Sequence, residues 1–256
     1  MQTEPFAATA AKGIFTKEIE ESLLNGTIDL AVHSLKDLPT ELSNGLALAA
    51  IPEREDPRDA LVGKRLRDLP HGARVGTSSG RRAAQLRALR PDLKIEAIRG
   101  NVDTRIRKLN EGQYDAVVLA AAGLRRLDLE QAIAEVFTVE QICPAPGQGA
   151  LAIETRAGDA AFDACAELDH KPTRQAVTCE RAVLAGLGGG CDLAMGAFAA
   201  VAGEEIEVIA TVVSPDGSHA LRERAVGARS APEQLGCSVA SRLIAKGARG
   251  ILGGAK

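Results

Sequence analysis

Between Arg74 and Ala121 short apolar runs alternate with helical segments at a regular spacing, and this alternation limits the possible folds more than any other feature of the chain. Segments 74–78, 94–98 and 115–121 read as strands; 80–90, stopped by Pro91, and 102–110 read as helices. The βαβαβ order is read as a parallel sheet with crossover helices. Ligands of such sheets bind at the carboxyl ends of the strands.

Upstream, Phe15 to Gly26 reads as a helix with Thr16 as N-cap and Ile19, Leu23 and Leu24 on one face. Asp29 to His33 and Leu46 to Ile51 are short apolar runs, as expected of strands buried on both faces. The loop Ser34 to Pro39 lies between them. Two proline-bearing connectors, 52–58 and 143–149, bracket the alternating region, and a short strand at 150–154 follows the second. The texture then changes. Helices near 159–168 and 172–186 lead to a glycine loop ending at Cys191, then to candidate strands at 195–202, 205–213 and 219–226 and a last helix at 232–246. Turn sequences at Ala202-Gly203-Glu204 and Pro215-Asp216-Gly217 separate the strands, so the C-terminal third is expected to be a small α+β domain with a three-stranded antiparallel sheet.

Charge and composition narrow the function. The chain has 31 Lys+Arg against 34 Asp+Glu and only 2% aromatic residues, which argues against a nucleic-acid binder. Of the basic residues 22 are Arg, the side chain suited to bidentate contacts with carboxylate or phosphate, so an acidic small molecule is the expected partner. Cysteines 143, 165, 179, 191 and 237 form no CxxC and no metal-like spacing, which fits a reducing cytosol and indicates no metal site. With no signal-peptide pattern and no long apolar run, a soluble cytoplasmic protein is expected, without a membrane partner.

Three arginine groups fall where strands end and helices begin. Thr77-Ser78-Ser79-Gly80-Arg81-Arg82 joins backbone N–H groups, hydroxyls and two guanidinium groups; Arg99-Gly100-Asn101-Val102-Asp103-Thr104-Arg105 repeats the arrangement; Arg125-Arg126 follows the third strand. Any one of them is as easily a solvated surface, and it is their shared sheet edge that favours an anion site. Lys36-Asp37 follows a strand directly, where scaffolds present catalytic groups, although alone it reads as an exposed ion pair. Cys165 and Cys179 read as buried hydrophobes, whereas Cys191, after Gly188-Gly189-Gly190, is a candidate thiol for covalent attachment. The four histidines form no metal or triad pattern and read as structural or surface residues.

Six ordered segments carry a resemblance: Ala31 to Thr40, Arg54 to Ala60, Val75 to Ser79, Arg99 to Val102, Pro146 to Ala150 and Gly189 to Cys191. Together they resemble the porphobilinogen deaminase family. The resemblance implies an α/β fold of two periplasmic-binding-protein-like lobes with a third small α+β domain, divided as 1–53 with 149–167, 58–143, and 171–256. It implies the head-to-tail joining of four porphobilinogen molecules, with loss of ammonia, into the linear tetrapyrrole hydroxymethylbilane of haem biosynthesis. It implies a dipyrromethane cofactor held through a thioether to Cys191, with Asp37 as the catalytic aspartate stabilising the azafulvene that forms when ammonia leaves. Lys36, Thr77, Ser78, Ser79, Arg81 and Arg82 would hold the cofactor; Lys12, Phe15, Arg99, Asn101, Arg105, Arg126 and Gln148 would meet the substrate. A monomer is expected.

Two features depart from the family's pattern. No strand and helix bearing the usual Arg and Ser precede Lys12, which predicts a first domain short of one strand. The stretch Ala10-Ala11-Lys12-Gly13-Ile14-Phe15 replaces a Gly-Gly start, and Gly80 replaces an aliphatic residue. The competing readings are a non-catalytic two-lobed organic-anion binder and an inactive, N-terminally truncated fragment. Cys191 separates enzyme from binder, because a binder needs no thiol on a glycine loop.

Overall fold

The run Ala116-Val117-Val118-Leu119 offers no polar side chain to either face, so it can rest only where both faces are covered. In the computed structural model, which describes residues 7–189 and 193–253, it forms β6 (Ala116–Ala120) at the centre of a five-stranded sheet. Its neighbours are β5 (Lys94–Glu96) and β4 (Arg74–Gly76) on one side and β3 (Asp59–Val62) and β7 (Ile133–Val136) on the other, in the order β5-β4-β6-β3-β7. β4 runs parallel to β5 and β6, as expected. β3 is antiparallel to β6 and β7, so the sheet is mixed and not parallel throughout. Helices α2 (Gly80–Leu89), α3 (Val102–Asn110) and α4 (Ala121–Arg126) accompany the sheet. Leu61, Val75, Leu86, Val118 and Phe137 pack in one cluster, and Val62, Ile98, Val117, Leu119 and Leu124 in another with Ile106 and Leu109 of α3.

The chain enters this sheet from a second one and returns to it. β1 (Leu30–Ser34) and β2 (Leu46–Ala50) flank β8 (Leu151–Arg156), antiparallel to both. Helix α1 (Ala7–Leu24) covers one face through Ile19 and Leu23 against Ala31 and Leu46, and α5 (Ala160–Cys165) meets Ile153 on the other through Phe162 and Cys165. α1 begins well before Thr16, which is therefore an interior residue and not the N-cap; the alanines of 7–11, the strongest helix formers, extend the helix backwards. β1 is not buried on both faces. It has one neighbour among the described residues, and Leu30 and Val32 are exposed.

The third unit is the expected antiparallel meander, β9 (Met195–Ala202), β10 (Glu205–Val213) and β11 (Ala220–Ala228), with β10 central. α6 (Lys171–Gly186) and α7 (Pro232–Ala245) pack on it through Cys179, Val183, Val239 and Leu243 against Ile206, Val208 and Val212, and α8 (Ala248–Gly253) follows. Gly236 makes the helix pair possible, since a Cβ there would lie 2.3 Å from the Cys179 carbonyl oxygen. Among the described residues no helix is long and apolar enough to cross a membrane.

The three units meet where the chain crosses. Gly149 has φ +86°, and a Cβ on it would fall 2.3 Å from Glu55 O, so the outgoing and returning segments touch backbone to backbone. Arg54 on the outgoing segment pairs with the fully buried Glu180 of α6 at 2.6 Å and lies over the Phe198 ring. Glu180 also accepts the backbone N–H of Gly147 (2.7 Å) and Ala199 (2.8 Å), while Arg54 Nε donates to Gln148 O. One carboxylate thus ties both crossings to the third unit.

Candidate active site

Leu35 and Leu38 are buried, and the short 3-10 turn between them turns Lys36 and Asp37 away from that core. Lys36 lines a narrow cavity with Ser34, Ala120, Ala122, Gly123, Arg126, Gly149 and Ala150, where the carboxyl ends of β1 and β6 face each other across the crossing. Burial lowers the Lys36 pKa to about 8, and Arg82 and Arg81 push the same way against Asp37 and Asp59. Asp37 is exposed and acts electrostatically on both Lys36 and Arg82.

At the end of β4 the expected anion site is built differently from a row of free donors. Ser79 caps α2 by accepting Arg82 N–H (3.4 Å), and Thr77 Oγ1 accepts Ser79 N–H (3.2 Å). Ser78 Oγ is committed to Ile98, donating to its carbonyl at 2.6 Å and accepting its N–H at 3.1 Å. Arg81 and Arg82 are 5% and 6% exposed, and both grip the fully buried Asp59 at 2.7 Å. Burial alone would raise the Asp59 pKa; the two arginines outweigh it and hold the carboxyl well below its usual range. Gln148, expected against substrate, is fully buried and donates to Pro57 O (2.7 Å) and Asp59 (2.9 Å).

Of the remaining site residues, Arg105 is drawn inward, its pKa lowered by burial and then by Arg82, and its Nε donates to Gly100 O. Arg99 is exposed, and Asn101 spends its side-chain oxygen capping α3. Arg126 reaches Gly149 O at 2.7 Å, whereas its neighbour Arg125 pairs with Glu55, Asp56 and Glu130 and braces the crossing. Lys12 and Phe15 fall on α1 with side chains outside the described residues, and Cys191 also lies outside them. The helix leading towards Cys191 does meet the Lys36-Asp37 turn: Arg181 of α6 donates to Leu38 O and Pro39 O. The other cysteines are poor nucleophiles or lie elsewhere. Cys143 and Cys179 are buried, their thiols pushed up to about 12 by desolvation, Cys165 is buried, and Cys237 is exposed on α7.

The sequence assigns no site role to Asp59, Glu180, Arg54 or Arg181, although Arg54 and Asp59 fall in one of the segments that carry the resemblance. Asp59 left one signal, a carboxylate at the head of the otherwise apolar run Ala60-Leu61-Val62. His33 is half-buried, as a structural residue, 3.0 Å from the buried Glu154.

Lys36, Arg81, Arg82, Arg105 and Arg126 outnumber Asp37 and Asp59 at this cleft. Such a donor set fits a polycarboxylate. The fold and the site together define a two-unit α/β protein with an appended α+β unit and a cation-rich cleft where the chain crosses twice. A family model described as porphobilinogen deaminase, dipyromethane cofactor binding domain, matches residues 1–164, and one for the C-terminal domain matches 174–245. A porphobilinogen deaminase of Roseiflexus sp. (strain RS-1) is 52% identical over 254 residues, 98% of this chain and 84% of that one. One from Thermus thermophilus is 50% identical over 251 residues, 96% of this chain and 83% of the relative. The chain belongs to the porphobilinogen deaminase family. A TRAP periplasmic solute binding protein from Desulfovibrio salexigens resembles 60% of this chain over 57% of its own, at 12% identity and a TM-score of 0.37.

Proposed function

We propose that this chain joins four porphobilinogen molecules head to tail, releasing ammonia at each step, to form hydroxymethylbilane. The observation that carries the reading is the Lys36-Asp37 turn set against the Arg81/Arg82/Asp59 cluster, a single catalytic-type carboxylate among excess cations. Each porphobilinogen brings an acetate and a propionate, so the bound chain gains negative charge with every addition. The family's dipyrromethane, when bound, supplies the covalently held pyrrole end from which the chain grows. Lys36, Arg81, Arg82 and Ser79, with the backbone at Ser78, would hold its carboxylates and Cys191 would anchor it, while the Thr77 N–H is spent on Glu96 O and would support the turn. Arg99, Arg105 and Arg126 meet the carboxylates of the incoming substrate, Asn101 caps the helix that carries Arg105, and the fully buried Gln148 acts through Asp59 and not on the substrate itself. As the substrate's C–N bond breaks and its electron pair leaves with the nitrogen as ammonia, the Asp37 carboxylate offsets the positive charge on the methylene carbon; once the C–C bond to the growing end has formed there, it accepts the proton that the joined pyrrole carbon gives up.

The units 1–53 with 149–167, 58–143, and 171–256 work as three domains, the third carrying the cysteine that the family uses for attachment, Cys191. We read the protein as a cytoplasmic monomer that acts on porphobilinogen without nucleic acid or membrane. The test is Asp37→Ala. A charge pair near 4 Å at an effective dielectric of about 20 is worth roughly 4 kcal/mol, so turnover measured as ammonia release should fall on the order of a thousandfold. Turnover within about threefold of wild type would remove Asp37 from the mechanism.

A further inference from the structure

Arg81 and Arg82 are adjacent in the chain, nearly inaccessible to water, and share a single counterion. Asp59 Oδ2 takes Arg81 Nη1 (2.7 Å), and Oδ1 takes Arg82 Nε (2.9 Å) and Nη2 (2.7 Å). The carboxylate is itself fixed by Gln148 Nε2 (2.9 Å), from the returning crossing. The outer nitrogens are directed too: Arg82 Nη1 donates to Val118 O on β6 and Arg81 Nη1 to Cys143 O. Two backbone carbonyls and one fixed carboxylate therefore aim the two guanidinium groups. Two cations on one buried anion leave the cluster a negative charge short, and a cluster serving stability alone gains nothing from that deficit, because an uncompensated buried charge is costly. A ligand carboxylate would make up the difference.

We propose that Asp59 is a positioning residue of the condensation, which sets the spacing at which Arg81 and Arg82 receive the carboxylates of the bound chain. Its negative charge also acts on Lys36, favouring the cation beside them. The proposal rests on the reading above that these arginines meet carboxylates. The charges facing Lys36 are Arg81 and Arg82 from α2, Asp59 from β3 and Asp37 from its own turn, and Arg126 of α4 lines the same cavity. Of these, Asp59 is the anion that belongs to neither the Lys36 turn nor the substrate. Removing it lowers the pH at which Lys36 loses its proton; removing Arg81 raises it.

The experiment uses the full chain in four forms: wild type, Asp59→Asn, Asp59→Glu and Arg81→Gln. Two readouts are taken: the fraction loaded with cofactor, by intact mass, and the pH midpoint of Lys36 acetylation by acetic anhydride, by peptide mass. Asp59→Asn is expected to load several-fold less and to shift the Lys36 midpoint down by on the order of one pH unit. Asp59→Glu keeps the charge but moves the carboxylate by one methylene, so it should load poorly with the midpoint unmoved. Arg81→Gln should load poorly with the midpoint raised. A wild-type midpoint and wild-type loading in Asp59→Asn overturn the proposal. If Asp59→Asn does not fold, Asp59→Glu decides: normal loading, or a displaced midpoint, overturns it. Arg81→Gln loading like wild type would overturn the arginine reading itself, and the proposal with it. A variant that is merely destabilised would lower the melting temperature and leave the Lys36 midpoint where it was.

Discussion

Replacing Glu180 by Ala should do more damage than any other single change outside the cleft. Glu180 is fully buried and the Arg54 side chain is 10% exposed, so the truncation strands a guanidinium group in the interior. Removing one partner of a buried pair costs about 3–5 kcal/mol. The loss also orphans the N–H groups of Gly147 and Ala199, each of which has the carboxylate as its acceptor. For a chain of this length each kcal/mol moves the melting temperature by about 2–4 °C, which puts the expected drop at roughly 6–20 °C. Unfolding would be followed by circular dichroism at neutral pH, on protein matched for cofactor content, since a bound ligand stabilises by itself. Arg54→Met and the double variant complete a cycle. The two single losses should exceed the double loss by more than about 1 kcal/mol, because the second substitution relieves the stranded charge. A drop below about 1 kcal/mol with additive singles would show that the pair contributes little, and the account of how the third unit is attached would fail.

Other consequences can be measured directly. Lys36 loses its proton at about 8 in the folded chain and near 10.5 unfolded, so the unfolded state binds more protons between these values and the charged form is disfavoured by folding. Cofactor-free protein should therefore gain stability from this group as pH rises from 8 towards 10.5, a gain visible as the wild-type curve minus that of Lys36→Met and refuted by a flat difference. If Arg99 and Arg126 serve different carboxylates, Arg99→Leu and Arg126→Leu should stall elongation at different stages; identical distributions of bound intermediates in native mass spectra would contradict that. Gly149→Ala should cost at least ~1–3 kcal/mol, because its φ of +86° and the nearby Glu55 oxygen leave no room for a methyl group. Unchanged urea unfolding would show that the crossings can move apart.

How much of this the sequence revealed depended on whether the information was local. The βαβαβ segment and the β9-β10-β11 meander were legible because each apolar period lies next to its own turn or cap, Ser79, Asn101 and Pro215-Asp216-Gly217 among them. β3 and β7 were not: each is four residues long, β3 opens on a charged residue, and β7 is only half-buried, so neither has a clear period. Strand direction was equally hidden, since an apolar run that enters a sheet antiparallel looks the same as one that enters parallel. At the site, Lys36, Asp37, Arg81 and Arg82 could be read because strand ends gather them. Their actual partners could not. Asp59 is more than twenty positions from Arg81, and the order of strands in one sheet brings that pair together; Glu180 is 126 from Arg54, and the crossing of the chain between units brings that one together.

The most direct test of the central claim is the intact mass of the purified protein before and after porphobilinogen is added. Protein that grows its product on a dipyrromethane held by Cys191 should weigh more than its sequence by two pyrrole units, should show further one-pyrrole steps with substrate, and should lose the whole series in Cys191→Ala. An unmodified mass in protein that is turning over porphobilinogen would contradict the account.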